Sequence, residues 1–453
     1  MNKTNFLINI NAPIEEALKK LELNTYGIIF ITRQSKIIGC ATDGDIRRVL
    51  IEEGSLSSKI EKAINLDFEY LFQENASREN ILKLLDSKIN VIPILTKDFK
   101  LVSIASHKDI NWNNKYNIIS KAKSPVRISF AGGGTDLTNY FIVEEGVVLN
   151  TTINKFSHAI LQKRKDKKIV INSNDFKVIL EFDHINEIKY DGSLDLIKAG
   201  IKLLNPDFGF ELTTYSDVPT GSGLGGSAVI LAAIVGAFNN FRINKLNSHD
   251  IAELAFQAER IELGLSGGWQ DQYATVFGGF NFMEFKQVEN IINPLRIDEE
   301  ILNELEDSLV LCYSGISHNS GDIHNSQKEN IKKDDQKEFS QITKDIAYEM
   351  KSRLLKGKLD DFGELLHKAW TVKKKFSSKI STVFLDEIYD YAIESGALGG
   401  KLLGAGGGGY FLFYVPTFKK IELINSLRSK GLEMDTFTFD NIGLRSWITK
   451  EKI

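Results

Sequence analysis

A glycine-rich segment at residues 219–228, with the sequence PTGSGLGGSA, has the residue types of a phosphate-binding loop. It follows a predicted strand at 211–215 and precedes a strongly apolar predicted helix at 228–238. Glycines let backbone N–H groups converge on one point without interference from side chains. The N-terminus of a helix adds unpaired N–H groups and the positive end of the helix dipole, and both favour a phosphate. The segment therefore predicts a phosphate cradle, and a bare turn between strand and helix is the alternative.

Two hydroxyl groups in this loop add to its chemistry. Ser222 and Ser227 can supply a further phosphate contact and an oxygen ligand for Mg²⁺. No Gly-Lys-Ser/Thr follows, so the segment is not a Walker A loop, and its spacing differs from that of the dinucleotide-binding fingerprint. The predicted contacts to the phosphates are Pro219, Gly221, Ser222, Gly223, Leu224, Gly225, Gly226 and Ser227.

Two carboxylates downstream of the loop are candidates for catalysis and metal binding. Glu259 lies on the flank of the apolar face of a predicted helix at 251–263, twelve residues before Asp271. Asp271 lies between two pairs of glycines, which allow a ligand to approach the backbone closely. A carboxylate there can accept the proton of a sugar hydroxyl. The alternatives are a boundary glutamate paired with a lysine, and an aspartate that caps a helix beginning at Gln272.

Three motifs in this order resemble those of the GHMP kinases, the family of galactokinase, homoserine kinase, mevalonate kinase and phosphomevalonate kinase. The first is SPVRISFAGGGTD at 124–136, the second is the glycine loop at 219–228, and the third is KLLGAGGGGY at 401–410. Gly226 stands where the family usually has a serine, and three glycines at 132–134 replace the usual Gly-Glu-His turn. The resemblance covers residues 122–453.

The resemblance implies a kinase that depends on ATP and Mg²⁺. Ser227 and Glu259 would hold the metal ion, and Asp271 would accept the proton of the acceptor hydroxyl. Arg127 would keep that carboxylate ionised, because a neighbouring cation lowers the pKa of an acid. Asp136 would contact a sugar hydroxyl. The glycines expected to border the substrate are Gly133, Gly134, Gly406, Gly407 and Gly408.

Within the family, residues 131–136 and 267–272 look most like those of the D-glycero-D-manno-heptose 7-phosphate kinases. That resemblance implies phosphorylation of the anomeric hydroxyl to give a 1,7-bisphosphate, on the route to nucleotide-activated heptose for surface polysaccharide. Fucokinases share much of the pattern and are the alternative. A phosphorylated substrate needs an anion site, and residues 314–320 are hydroxyl-rich. The lysines that follow, Lys328, Lys332 and Lys333, are either part of that site or a solvated helix face.

The first 115 residues contain a repeated pattern of helix, strand, strand and the start of a second helix. Such a duplication implies two small modules packed against each other. This half resembles a tandem pair of cystathionine-β-synthase (CBS) domains, a family in which a Thr or Ser and a following aspartate often hold the ribose of an adenine nucleotide. Thr42 with Asp45, and Ser106 with Asp109, would then contact a nucleotide. Capping of a helix by Thr42 is the alternative.

The two resemblances imply an α/β (α+β) protein with three parts. Residues 1–115 form the CBS pair, 122–306 a lobe like domain 2 of ribosomal protein S5, and 307–453 a ferredoxin-like lobe, with the active site between the two lobes. Residues 111–117 are polar and without pattern, which is typical of a linker. The alternative from another functional class is a nucleotide-sensing protein, in which the CBS pair is fused to a catalytically silent kinase scaffold.

The composition excludes several other classes of protein. A net charge of -4 with 42% hydrophobic and 26% charged residues is typical of a soluble protein and gives no attraction to nucleic acid or an acidic membrane. The two cysteines, Cys40 and Cys312, cannot form a disulfide framework. The apolar run at 228–238 is too short to span a bilayer, and the first residues lack the pattern of a secretion signal. We therefore expect a cytoplasmic protein, and a homodimer, because CBS pairs and sugar kinases often self-associate.

Overall fold

The computed structural model describes residues 3–87, 89–106, 116–317 and 334–452. The chain forms two compact units, Met1–Lys115 and Tyr116–Ile453. None of the described helices combines the length and the apolar character that crossing a membrane requires.

The first unit contains the predicted repeat. Its strands are β1 (Leu7–Asn9), β2 (Ile28–Arg33), β3 (Lys36–Thr42), β4 (Leu71–Phe72), β5 (Val91–Leu95) and β6 (Leu101–Ser106). Its helices are α1 (Ile14–Asn24), α2 (Asp43–Glu53) and α3 (Arg78–Asp86). The sheets have the orders β1-β2-β3 and β4-β5-β6, and in both the first pair is parallel and the second antiparallel. The two sheets share one apolar cluster, in which Phe30 and Cys40 pack with Val91 and Leu95.

The start of α2 explains the Thr42 and Asp45 pattern without a ligand. The backbone N–H of Asp45 donates to Oγ1 of Thr42 (3.3 Å), and that of Thr42 donates to Oδ2 of Asp45 (2.8 Å). This reciprocal capping box satisfies two N–H groups that a helix start otherwise leaves unpaired. Ser106 is buried at the end of β6, and its hydroxyl contacts that of Tyr26 (3.3 Å). Asp109 lies outside the described residues, and nucleotide binding by these four residues stays a prediction.

The second unit contains two sheets and ten described helices. Its strands are β7 (Tyr116–Ala131), β8 (Gly146–Lys163), β9 (Ile169–Ser173), β10 (Val178–Phe182), β11 (Phe210–Ser216), β12 (Asn281–Phe285), β13 (Asn290–Pro294), β14 (Leu309–Tyr313), β15 (Gly399–Leu402), β16 (Tyr410–Tyr414), β17 (Glu433–Asp435) and β18 (Arg445–Lys452). Its helices are α4 (Thr138–Phe141), α5 (Asp195–Leu204), α6 (Gly226–Asn239), α7 (Ser248–Phe256), α8 (Gln270–Phe277), α9 (Glu299–Ser308), α10 (Asp334–Leu355), α11 (Leu359–Lys374), α12 (Val383–Glu394) and α13 (Lys420–Ser429).

The larger sheet of this unit has eight strands, and the long strand β8 pairs with β7, β11 and β12. The last strand, β18, returns from the end of the chain and pairs antiparallel with the start of β7. Tyr116 and Asn117 therefore begin a strand, and the prediction that they belong to a linker is wrong. The first three residues of β7 are exposed, so no buried alternation marks them in the sequence.

The smaller sheet has the strand order β15-β16-β14-β17, with every pair antiparallel. Trp370 of α11 and Tyr389 of α12 pack with Phe411 and Phe413 of β16 in the core of this part. Helix α6 follows the glycine loop, packs on β7 and β8 of the larger sheet, and is buried along almost its whole length. Its apolar residues surround the helix, and each fully buried Leu, Ile or Val contributes about 1.5–3 kcal/mol to stability. The core therefore fixes the N-terminus of α6 in place.

Candidate active site

A cavity of about 830 Å³ in the second unit is lined by residues of all three glycine motifs. The predicted site residues that line it are Arg127, Gly133, Gly134, Asp136, Pro219, Gly221, Ser222, Gly223, Gly225, Gly226, Ser227, Glu259 and Asp271. From the third motif, Lys401, Gly404 and Ala405 line the cavity, whereas Gly406–Gly408 are not among its lining residues.

The glycine loop enters the cavity just before α6. Gly221, Gly223 and Gly225 have φ values of +74°, +79° and +83°, a region that L-residues with a side chain rarely adopt. Gly226 and Ser227 are the first residues of the fourteen-residue helix α6, whose first N–H groups have no acceptor within the helix. Leu224 is fully buried, and its carbonyl accepts a hydrogen bond from the N–H of Arg127 (3.2 Å). The buried Leu224 therefore fixes the loop, and the glycines on either side of it provide the backbone N–H groups.

The third motif packs directly on the second. A Cβ on Gly404 would lie 2.6 Å from Cα of Gly223, so two glycine backbones touch at this point. The N–H of Tyr410 donates to the carbonyl of Ser222 (3.0 Å). Gly407 donates instead to the carbonyl of Ile380 (2.8 Å), which turns this part of the loop toward the ferredoxin-like part of the unit. A contact of Gly406, Gly407 or Gly408 with the substrate thus stays a prediction. The contacts that Gly404 and Tyr410 make instead hold the phosphate loop in place.

Gly404→Ala is expected to lower both thermal stability and affinity for nucleotide, because its methyl group would displace Gly223. The matched control is Gly431→Ala, since Gly431 has a similar positive φ (+79° against +70°) but no atom within 4 Å of the added Cβ. Both variants lose about 1 kcal/mol to backbone strain. We expect Gly404→Ala to lose about 1–3 kcal/mol more and to raise the KM for ATP. Thermal unfolding and steady-state kinetics measure this, and equal effects of the two variants would contradict the argument.

Arg127 and Asp271 form a bidentate ion pair on the cavity wall. Nε and Nη2 of Arg127 donate to the two carboxylate oxygens of Asp271 at 2.7 and 2.9 Å. The third nitrogen, Nη1, donates to the carbonyl of Gly223 (2.7 Å). A Cβ on Gly225 would lie 3.3 Å from Oδ2 of Asp271, so the carboxylate lies against the glycine loop. Two groups that are far apart in the sequence therefore meet where a phosphate would be bound.

Asp271 is not the cap of its helix. Helix α8 begins at Gln270, with Trp269 at the N-cap position, so Asp271 lies within the first turn. An anion in the first turn is favoured by the helix dipole. The positive end of the helix dipole and the guanidinium of Arg127 therefore both lie beside this carboxylate.

Glu259 lies on a π-helical turn, Gln257–Glu262, which continues α7. Its Oε1 accepts a hydrogen bond from the hydroxyl of Ser227 (2.5 Å), and its Oε2 accepts one from Nε2 of Gln272 (2.8 Å). Arg260 Nη1 is 3.4 Å from Oε1. Burial of the carboxyl is the main influence and raises its pKa above the usual value. The sequence predicted an unbroken α-helix here, and the apolar spacing does not distinguish an α-helical from a π-helical turn.

The pair Ser227 and Glu259 has the donor chemistry that Mg²⁺ requires. Both offer oxygen atoms, and they meet at the N-terminus of α6, where phosphates are favoured. Among the described residues, no three His, Cys, Asp or Glu side chains form a cluster that could hold a metal ion by themselves. A Mg²⁺ ion at this place would be completed by nucleotide phosphates and water, as is usual for this ion.

Asp136 is buried beside the glycine turn at 132–134. Its Oδ1 accepts a hydrogen bond from the N–H of Gly134 (3.0 Å), and its Oδ2 accepts one from that of Gln270 (3.2 Å). Gly268 covers it so closely that a Cβ there would lie 1.8 Å from Oδ2. Burial, and then the charge of Asp271, raise the pKa of Asp136. Gly268, which has no side chain, thus leaves room for the carboxyl group of Asp136 at the edge of the cavity.

The cavity wall also contains three basic side chains for which the sequence predicted no role: Arg260, Lys373 and Lys401. Lys401 lies within the third motif, and its Nζ donates to the carbonyl of Phe130 (2.9 Å). Lys373 belongs to a run of three lysines near the end of α11, which reads as a solvated helix face. The sequence holds no signal that separates Lys373 from its neighbours.

The predicted anion site at 314–320 is only partly described. Ser314 is buried, and its hydroxyl accepts a hydrogen bond from the N–H of Ile316 (3.4 Å). Residues 314–317 are not among those that line the cavity. His318, Asn319 and Ser320, with Lys328, Lys332 and Lys333, lie outside the described residues.

Comparison with known families and proteins adds to this geometry. Residues 195–279 match the GHMP kinases N terminal domain, residues 350–431 the GHMP kinases C terminal domain, and residues 1–52 the CBS domain. The D-glycero-alpha-D-manno-heptose 7-phosphate kinase of Campylobacter jejuni is 39% identical over 333 residues, which are 72% of this chain and 98% of that protein. The L-fucokinase/L-fucose-1-P guanylyltransferase of Bacteroides fragilis is 29% identical over 70% of this chain and 37% of that protein.

Among solved structures, a D-glycero-D-manno-heptose 1-phosphate kinase from Bacteroides thetaiotaomicron superposes with a TM-score of 0.62 at 32% identity. The superposition covers 72% of this chain and 98% of that structure. The CBS match covers the first repeat of the first unit, and the second repeat has the same strand pairing.

Proposed function

Because the chain belongs to the GHMP kinases and carries an N-terminal CBS domain, we propose that it transfers the γ-phosphoryl group of ATP to the anomeric hydroxyl of D-glycero-D-manno-heptose 7-phosphate. The chain is a sugar kinase by its family, and relatives at 39% and 32% identity that act on heptose phosphates support the heptose. The observation that carries the proposal is the Arg127–Asp271 pair, which lies against the glycine loop.

In this proposal Asp271 accepts the proton of the anomeric hydroxyl. Arg127 holds both carboxylate oxygens and so fixes the orientation of the group that would act as the base. The same arginine donates to Gly223 of the glycine loop, so one side chain fixes the base relative to the phosphates. Phosphoryl transfer depends mainly on such positioning and on neutralisation of charge.

The proposed nucleotide site uses the loop at 219–227 and the N-terminus of α6 for the phosphates. Ser227 and Glu259 would hold Mg²⁺, which supplies charge neutralisation on the phosphates. The wall of the cavity also contains the apolar side chains of Phe176, Leu194 and Ile230, which offer a surface for the adenine ring. Asp136 would contact a sugar hydroxyl, with Gly133 and Gly134 beside it.

ADP release from Mg·ATP, measured with a panel of possible acceptors, tests the proposal. The panel is D-glycero-D-manno-heptose 7-phosphate, L-fucose, galactose and homoserine. We expect turnover with the heptose phosphate and a kcat/KM at least about tenfold lower with the other three, because the heptose phosphate is the one acceptor in the panel that carries a phosphate group. Turnover of fucose instead would keep the kinase and replace the substrate. No ADP release with any acceptor, from a protein that binds nucleotide, would favour the nucleotide-sensing alternative.

A further inference from the structure

Lys373 reaches the cavity from helix α11, in the ferredoxin-like part of the unit. Its Nζ donates to the carbonyls of Leu402 (3.2 Å) and Gly404 (2.5 Å), at the end of β15 and in the loop after it. Gly404 is the residue that touches Gly223 of the glycine loop, and Gly223 in turn accepts a hydrogen bond from Arg127. The amine therefore contacts the residue that touches the phosphate loop, and the loop in turn connects it to the Arg127–Asp271 ion pair.

The charges around Lys373 are unfavourable for an ammonium group. Within the described part of the chain, no Asp or Glu lies within ion-pair distance of its Nζ, and its two hydrogen-bond partners there are the neutral carbonyls. The titratable groups that face it are basic. They are Arg127 on β7 and Lys401 on β15, and the pKa of Lys401 is itself lowered well below its usual value by burial and by the charges of Lys373 and Arg127. Burial first, and the charge of Arg127 second, lower the pKa of Lys373 to about 7. Folding alone thus gives this amine no anion to pair with.

We propose that Lys373 contacts the transferred phosphoryl group of the nucleotide, and that it takes up a proton from solvent when that group binds. The inference rests on the proposed kinase function. An ammonium group has three N–H donors, and the carbonyls of Leu402 and Gly404 use two of them, which leaves one for a phosphoryl oxygen. The phosphates bring negative charge beside Arg127, Lys373 and Lys401, and this charge favours the protonated amine. The proton goes to the lone pair of Nζ, and no bond to phosphorus is made.

Nucleotide binding to the full chain, measured by calorimetry at pH 8 with Mg²⁺ and a non-hydrolysable ATP analogue, tests the inference. Titrations in buffers with different ionisation enthalpies give the number of protons taken up on binding. At pH 8 an amine with a pKa of about 7 is mostly neutral, so we expect the wild-type protein to take up more than half a proton. Lys373→Gln keeps hydrogen-bond donors for the two carbonyls but cannot titrate, and we expect it to lose this uptake.

Lys368→Gln is the matched control, because Lys368 is exposed on the same helix. It is expected to take up protons as the wild type does. The difference between wild type and Lys373→Gln cancels protons linked to nucleotide bound elsewhere in the chain. ADP in place of the analogue is expected to give a smaller difference in proton uptake, since ADP lacks the transferred phosphoryl group.

In steady-state kinetics, Lys373→Gln is expected to lower kcat at least tenfold with little change in the KM for the sugar. Lys373→Arg is expected to restore part of the lost kcat.

Equal proton uptake by wild type and Lys373→Gln would overturn the inference and leave Lys373 as a support for the third glycine loop. If Lys373→Gln does not fold, the wild-type protein decides by itself, because binding without proton uptake at pH 8 also overturns the inference. A protein that binds no nucleotide at all would instead contradict the proposed function. The two failures are thus distinguished in one titration.

Discussion

Asp271→Asn is expected to lower kcat by about 10²–10⁴-fold, the usual contribution of a general base. Asparagine has the size of the aspartate and can still accept one hydrogen bond from Arg127, so the glycine loop keeps its place. It has no charge and cannot accept the proton of the acceptor hydroxyl. The KM for ATP should therefore change little. ADP release at saturating heptose 7-phosphate and Mg·ATP measures the effect.

The control for Asp271→Asn is Asp390→Asn, the same change at an exposed position of α12. It should leave kcat within about twofold of the wild type, as surface substitutions usually change little. A kcat for Asp271→Asn within threefold of the wild type would show that positioning and charge neutralisation suffice without this base. Retained activity would then mean that Arg127 and the N-terminus of α6 accelerate the transfer by positioning the phosphates and neutralising their charge.

The central part of the site could be predicted because its chemistry is carried by glycines and charged residues at fixed places in three motifs. Positive φ at Gly221, Gly223 and Gly225 is a property that sequence alone indicates, since few other residues adopt it. Family resemblance then supplied the pairing of Arg127 with Asp271, which no periodicity reveals. The family and the mixed α/β fold are confirmed by the comparisons with GHMP kinases.

The remaining features depend on tertiary packing, which the sequence does not display. Lys373 is one of three consecutive lysines, and the contacts of its amine with the end of β15 and the loop after it distinguish this half-buried lysine from its neighbours. Strand β18 comes from the end of the chain and pairs with β7 at the start of the second unit. Both strands contain exposed residues, so neither shows the alternation of buried and exposed positions that would identify it in the sequence. The capping box at Thr42 shows the converse case, in which one local pattern fits both a helix cap and a nucleotide contact.

Glu259→Gln is expected to lower kcat/KM for Mg·ATP by on the order of 10²-fold or more while raising the thermal stability of the protein without ligands. Glutamine can keep both hydrogen bonds, with its oxygen facing Nε2 of Gln272 and its NH₂ donating to the hydroxyl of Ser227. It removes a buried negative charge whose burial is unfavourable, as the raised pKa of Glu259 indicates. The variant therefore avoids the free-energy cost of burying a charge on folding. At the same time the proposed metal site loses the carboxylate of Glu259.

Opposite signs for stability and activity distinguish a metal ligand from a structural glutamate. The control is Glu262→Gln on the same π-helical turn, where the side chain is exposed and contacts the hydroxyl of Tyr190. This control should change neither the melting temperature nor kcat/KM appreciably, because its carboxylate is solvated. If Glu259→Gln melts at a lower temperature and keeps its activity, then Glu259 stabilises the junction of α6 and the π-helical turn, and Mg²⁺ is held elsewhere. Raised stability with lost activity would mean that the wild-type protein keeps the unfavourable buried carboxylate of Glu259 beside Ser227 because the carboxylate holds the metal ion that the nucleotide phosphates require.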